Sequence, residues 1–251
     1  MGGNSTINIV EKEAVEWDEP TVITGFPGPG YVGETTAMFI IDSLKLREVG
    51  HVSSEFIPPM LVVMGQNFRP PFRIHANEDG DLLIIVDNQP IPMEHHRIVS
   101  RSLMGWLNGK RVKEIVVLDG LPVPDETLEG RIIGFSINEK RLLELGQYGV
   151  MPLRGGAVTG MNAGLLEICQ EQNVPWTGLL APTTRIGSPN WRGITSIIEV
   201  LNKMLDLNID ASVIRRTVSV PGEQLSTKTK ANGKGNLFSM FRNWWDRKLK
   251  S

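Results

Sequence analysis

A single stretch near the start of the chain restricts its fold more than any other. Thr21-Val22-Ile23-Thr24 is β-branched and apolar, the pattern of a buried strand. It runs into Gly28-Pro29-Gly30-Tyr31-Val32-Gly33, a G-x-G-x-x-G, and then into a helix-type run from Glu34 to about Leu46. Strand, glycine turn and helix in that order begin an α/β layered fold, and they are also the setting in which the glycine pattern denotes a dinucleotide site. Glu55, about twenty residues on, stands where an acid binds the ribose in such sites. Two features argue against that use. Pro27 and Pro29 stiffen the loop and remove two N–H groups that would otherwise hold a pyrophosphate. Residues 57–90 supply strands instead of the crossover helix that a dinucleotide fold requires. The loop therefore has three open readings: a tight turn whose glycines let backbones pack closely, an anion site, or a dinucleotide site.

The rest of the chain continues the alternation. Strands are expected over Gly50–Phe56, residues 60–64, Phe72–His75, Leu82–Val86, Ile115–Leu118, Ile132–Ile137 and Trp176–Leu180. Helices are expected from Pro90/Pro92 to Leu107, from Asn138 to Leu145, after the glycine-rich segment "RGGAVTG", and from Ile194 to Leu207. Glu78-Asp79-Gly80 is a tight-turn sequence, so its flanking strands form an antiparallel hairpin and the sheet is mixed. Residues 1–217 are read as one α/β domain and residues 218–236, rich in Ser, Thr, Lys and Gly, as a flexible linker. Residues 237–251 are read as an amphipathic helix or tail.

With 251 residues and 41% hydrophobic content, the chain can bury a core without disulfides. The single Cys169 sits in an apolar helical pattern and is read as a buried thiol. With no apolar signal core at the N-terminus, it suggests a cytoplasmic setting. Residues 215–251 hold nine Lys/Arg and two Asp/Glu, so a tail of +7 joins a remainder of −9 in a chain of net charge −2. Within the tail, Leu237, Phe241, Trp244, Trp245 and Leu249 share one helical face, with Phe238 and Met240 beside it, and Arg242, Asn243, Asp246, Arg247 and Lys250 take the other side. Such a segment can dock on its own body or a neighbouring protomer, enter a partner's groove, or lie on an anionic membrane surface. Nucleic acid is not expected as a partner, because the acidic body would repel it.

Candidate chemistry elsewhere is thin. Glu94-His95-His96 lacks the i, i+3 or i, i+4 spacing of helical metal ligands and reads as a solvated first turn. His51 and His75 read as structural. Asp119, Asp125 and Glu126 form an acidic loop after a strand, read as a solvated turn shaped by Pro122 and Pro124. Arg154, before Gly155-Gly156, either holds an anion or makes a surface ion pair. No nucleophile elbow or phosphate-binding G-x-x-x-x-G-K-[ST] loop is present. No catalytic residue, metal or cofactor is expected.

Several motifs, in order and spacing, resemble one family. "GFPGPGYVG", "LDGLP" (118–122), "GGAVTGMNAGLL" (155–166), "GLLAPT" (178–183) and the helix "SPNWRGITSIIEVLNKML" (188–205) look like the archaeal and eukaryotic proteasome assembly chaperone family. The resemblance covers roughly residues 10–210. It implies a phosphorylase/hydrolase-like mixed-sheet sandwich with helices on both faces, and self-assembly into a homo-oligomer. It also implies binding of proteasome α subunits. Family members are sometimes labelled ATP-grasp enzymes, a label this sequence does not support. Two departures stand out. Leu180-Ala181-Pro182-Thr183 occupies a place where relatives often have a glycine and an acid. The tail also closes with Leu249-Lys250-Ser251, without the tyrosine typical of proteasome-docking tails. The reading is a non-enzymatic assembly chaperone whose partner-binding residues are Leu237, Phe238, Phe241, Trp244, Trp245 and Leu249. The loop residues Gly28, Gly30 and Gly33, with Arg154 and Gly155, would form an anion site or an oligomer interface. The alternative is a nucleotide- or anion-binding enzyme that uses the Gly28–Gly33 loop.

Overall fold

The computed structural model of the chain describes residues 7–214, apart from Gly65 and Asp125. In chain order the strands are β1 (Ile7–Glu11), β2 (Thr21–Gly25), β3 (Arg47–Ser54), β4 (Val62–Met64), β5 (Asn67–Arg69), β6 (Phe72–Ala76), β7 (Leu82–Asp87), β8 (Glu114–Pro122), β9 (Ile133–Ser136), β10 (Met151–Pro152) and β11 (Trp176–Thr183). The helices are α1 (Val32–Ser43), α2 (His96–Leu107), α3 (Glu139–Gln147), α4 (Gly160–Gln172) and α5 (Trp191–Leu205).

Nine strands form one mixed sheet in the order β1-β3-β6-β7-β2-β8-β11-β9-β10. Its centre is parallel: β2 pairs with β7 and β8, and β8 with β11, in registers such as Ile23↔Ile84, Ile23↔Val116 and Leu118↔Leu179. These strands are covered on both faces, so they read as continuous apolar runs. Alternate residues divide between two cores. Ile23, Ile84, Val86, Val116 and Leu118 pack with α1 and α5, while Val22, Leu83, Ile85, Ile115 and Val117 pack with α2 and α4. The result is the expected mixed sheet with helices on both faces. Asn138 caps α3, its Oδ1 accepting from Arg141 N at 3.3 Å, and Asn190 caps α5, its Oδ1 accepting from Gly193 N at 2.9 Å.

Some expectations need revision. The hairpin around Gly80 forms as expected, with β6 antiparallel to β7 and Gly80 at φ +72°. The run at residues 60–64 does not join the main sheet. Its end, β4, pairs with β5 in a separate two-stranded arm. β1, at the polar start of the chain, is an edge strand paired antiparallel to β3. β8 and β11 extend past their apolar cores to Pro122 and Thr183, which carries both strands out to the glycine loop. The linker and tail expected over residues 218–251 lie outside the described residues.

Candidate functional site

The glycine loop caps the carboxyl end of β2, where open α/β sheets place their ligands. Here the loop is packed against its neighbours. Gly28 abuts the Asp119 carboxylate, and Gly120 abuts the carbonyl of Pro29 with no room for a Cβ at either position. A Cβ on Gly33 would lie 2.5 Å from the Leu118 carbonyl oxygen. Gly30 has φ +63°, and its N–H donates to Ile186 O at 3.0 Å while its carbonyl accepts from Asn190 N at 2.9 Å. Tyr31 N donates to Gly28 O at 3.0 Å. Pro29 has no N–H to offer, and those of Gly30 and Tyr31 are spent inside the protein. A phosphate cradle needs such groups free.

Beneath the loop lies a polar cluster that sequence reasoning placed only in part. Asp119 Oδ1 accepts from Gly120 N at 2.8 Å and Oδ2 from Asn162 Nδ2 at 3.2 Å. Asn162, buried on α4, also donates to Leu118 O and accepts from Thr24 Oγ1 at 3.1 Å. Burial pushes the Asp119 carboxyl up to about 6, with the two hydrogen bonds opposing the rise. Asp119 is thus a half-buried anchor between β8 and α4, which corrects its reading as a solvated turn residue.

Three further titratable groups, Glu34, Asp87 and Arg73, are buried and were not singled out in the sequence. Glu34, in the first turn of α1, is pushed up to about 8 by burial and then by Asp87. Asp87, at the end of β7, is pushed up to about 7 by burial, opposed by the N–H of Gln89 and by Arg73. Its Oδ2 has no hydrogen-bond partner among the described residues. Arg73, fully buried on β6, donates to Pro70 O and Asn88 Oδ1, both at 2.7 Å. The one local signal was a charge at the end of an apolar run, as in Leu82–Asp87. Carboxyls with these values exchange protons near neutral pH. Among the described residues, no cluster of three His, Cys, Asp or Glu could hold a metal.

The other sequence candidates are dispersed. Arg154 and Gly155 are exposed between β10 and α4, and no side chain or backbone lies within 4 Å of a Cβ built on Gly155. The loop packs instead on Asp119, Gly120, Thr183, Ile186 and Asn190. Glu55 follows β3, three strand spacings from β2, or about 14 Å, which places it away from any ribose bound at the loop. His96 bonds the Ile91 carbonyl at 2.8 Å and His95 lies 4.4 Å from Phe56, ring to ring. His75 and Cys169 are buried. The tail residues Leu237, Phe238, Phe241, Trp244, Trp245 and Leu249 lie outside the described residues.

The β4–β5 arm and the residue before it carry three exposed apolar side chains. Val63 and Phe68 are directly opposed across the two strands, and Leu61, two residues before Val63, falls on the same side. Their exposures are 65% for Leu61, 53% for Val63 and 70% for Phe68. Val62, which points the other way, is buried. A contiguous patch of this kind marks an interaction surface more often than scattered exposed residues do. No helix among the described residues is long and apolar enough to cross a membrane.

Comparison with known proteins agrees with this architecture. The model of the PAC2 family matches residues 22–217. An uncharacterized protein of Methanocaldococcus jannaschii is 30% identical over 205 residues, spanning 82% of this chain and 83% of its own length. Among solved structures, PbaA of Pyrococcus furiosus, an archaeal homologue of proteasome-assembly chaperone, is similar with a TM-score of 0.75 and 27% identity, over 85% of this chain and 92% of that one. A protein of unknown function from Thermoplasma acidophilum gives a TM-score of 0.73 and 28% identity, over 80% and 81%.

Proposed function

The chain belongs to the PAC2 family, and from that premise we propose that it is a non-enzymatic proteasome-assembly chaperone. In this reading it forms a homo-oligomer and binds proteasome α subunits. The observation that carries the proposal is the likeness to PbaA over 85% of this chain and 92% of that one. Two features of the chain support it. In the glycine loop the N–H groups of Gly30 and Tyr31 are engaged internally, as suits a structural turn. The exposed apolar arm offers a surface for protein contacts. A homo-oligomer would present several copies of that surface and several tethered tails, so weak contacts add through effective concentration. Mixing the protein with proteasome α subunits of the same organism, and measuring the mass of what forms, tests the proposal.

A second reading is a nucleotide- or anion-binding enzyme at the same sheet end. The buried carboxyls of Glu34, Asp87 and Asp119 favour it, since raised values cluster at functional sites. Thermal melting with nucleotides, NAD and phosphate separates the two, because a bound ligand at a hundredfold excess over its Kd adds about 2.7 kcal/mol.

A further inference from the structure

The outward face of the β4–β5 arm, Leu61, Val63 and Phe68, is apolar, and two exposed acids, Glu55 and Glu94, lie near its base. The Phe56–His95 ring contact at 4.4 Å brings Glu55 and Glu94 to the base of the arm. Both are exposed, and neither has an ion-pair partner among the described residues. Met93 beside them is 80% exposed. Of the neighbouring cations, Arg69 shares Glu48 with Lys12, at 3.1 Å from Arg69, and Arg97 pairs with Glu167 at 2.8 Å. The arm therefore matches an occupant that carries both apolar and cationic side chains.

The sequence contains such a segment. Written as a helix, residues 237–249 would place Leu237, Phe241, Trp244, Trp245 and Leu249 within one arc, with Lys248 among them and Arg242 and Arg247 flanking it, within a tail of +7 on a remainder of −9. The described chain ends at Ile214, packed in the core beside α1 and α5. The 22 residues from 215 to 236 span up to about 70 Å when extended, and about 26 Å on average as a flexible chain. A body of this size has a radius of gyration of about 17 Å, so every part of its surface lies within that reach. A tether of this kind holds its end at an effective concentration in the millimolar range, which favours docking within one chain over docking between chains.

We propose that residues 237–249 dock on the arm of their own chain, the aromatic face covering Leu61, Val63 and Phe68 and the cations facing Glu55 and Glu94. The tail then shields the arm and withholds its own tryptophans until a partner competes for one of the two. The proposal does not depend on the partner being a proteasome subunit.

Hydrogen exchange on the full chain, without any partner, tests it. Docking slows exchange in residues 57–71 and 237–249. Trp244→Ala with Trp245→Ala should speed exchange in the arm by about tenfold, and Phe68→Asp should do the same in the tail. Glu55→Lys with Glu94→Lys should weaken the protection of both segments. These side chains are exposed on the body or lie in the tail, and an unchanged melting temperature verifies that each variant is folded. Tenfold dilution of the wild type should leave the protection unchanged. Arm exchange that is identical in the wild type and the tryptophan variant overturns the proposal. Protection lost on dilution overturns it, and so does a protected tail on Phe68→Asp chains mixed into wild-type oligomers, since a second copy would then be what covers the arm.

Discussion

Gly120 in β8 lies directly beneath the carbonyl of Pro29, with no space between them for a Cβ. The glycine loop and the end of β8 therefore meet backbone to backbone, and Gly120→Ala must push them apart. Overpacking of this kind costs about 1–3 kcal/mol, with the cost here expected at the upper end because the obstacle is backbone. Urea unfolding should show a lower midpoint at an unchanged slope. A neutral substitution would mean that the loop stands clear of the sheet.

Asn162 is the polar pin between α4, β2 and β8. Asn162→Ala leaves the Thr24 hydroxyl and the Leu118 carbonyl without these hydrogen bonds and removes a partner of Asp119. Unsatisfied buried groups cost about 1–3 kcal/mol. Without its Asn162 bond, which lowers the Asp119 value, the carboxyl should titrate higher than about 6. Carbonyl-labelled NMR titration of Asp119 measures the shift, and a downward move would contradict this account.

Glu34 sets a pH dependence whose sign is opposite to that of a salt-bridged acid. Its value rises from 4.5 to about 8 on folding, so the folded state keeps a proton that the unfolded state has lost. Stability from this group is fully present below pH 4.5 and falls as pH rises toward 8, where it levels off. Glu34→Gln removes that loss. The stability of the variant relative to wild type should grow across the same interval, as followed by denaturant unfolding at a series of pH values. A difference that is flat with pH would show that Glu34 is solvated.

Trp244→Ala with Trp245→Ala should weaken partner binding while leaving the melting temperature of the body unchanged. Aromatic anchors of this type contribute about 2 kcal/mol or more each where they are buried at an interface. Calorimetric titration against the partner measures the loss. Unchanged affinity would remove the tail from the interface.

The parts that were legible in the sequence are those whose environment is uniform along the chain. Thr21–Gly25 is buried throughout, so its apolar run and the glycines after it announce a central strand and a turn. The Gly80 hairpin was legible because its turn is local. β1 was passed over inside the polar start of the chain, although Ile7, Ile9 and Val10 give Ile7–Glu11 the content of a short edge strand. The apolar run at residues 60–64 was read as a strand without a place in the sheet, because composition cannot tell a strand facing the core from one facing solvent, and Val63 faces solvent. Asp119 was misread because its partner Asn162 is 43 residues away. Glu34 and Asp87 went unread because their burial depends on how α1 lies over β7.

The measurement closest to the central claim is size-exclusion chromatography with light scattering, on the protein alone and mixed with proteasome α subunits from the same organism. The account predicts a discrete homo-oligomer that moves into a larger complex when the subunits are added. A protein that elutes unchanged beside the α subunits would contradict it.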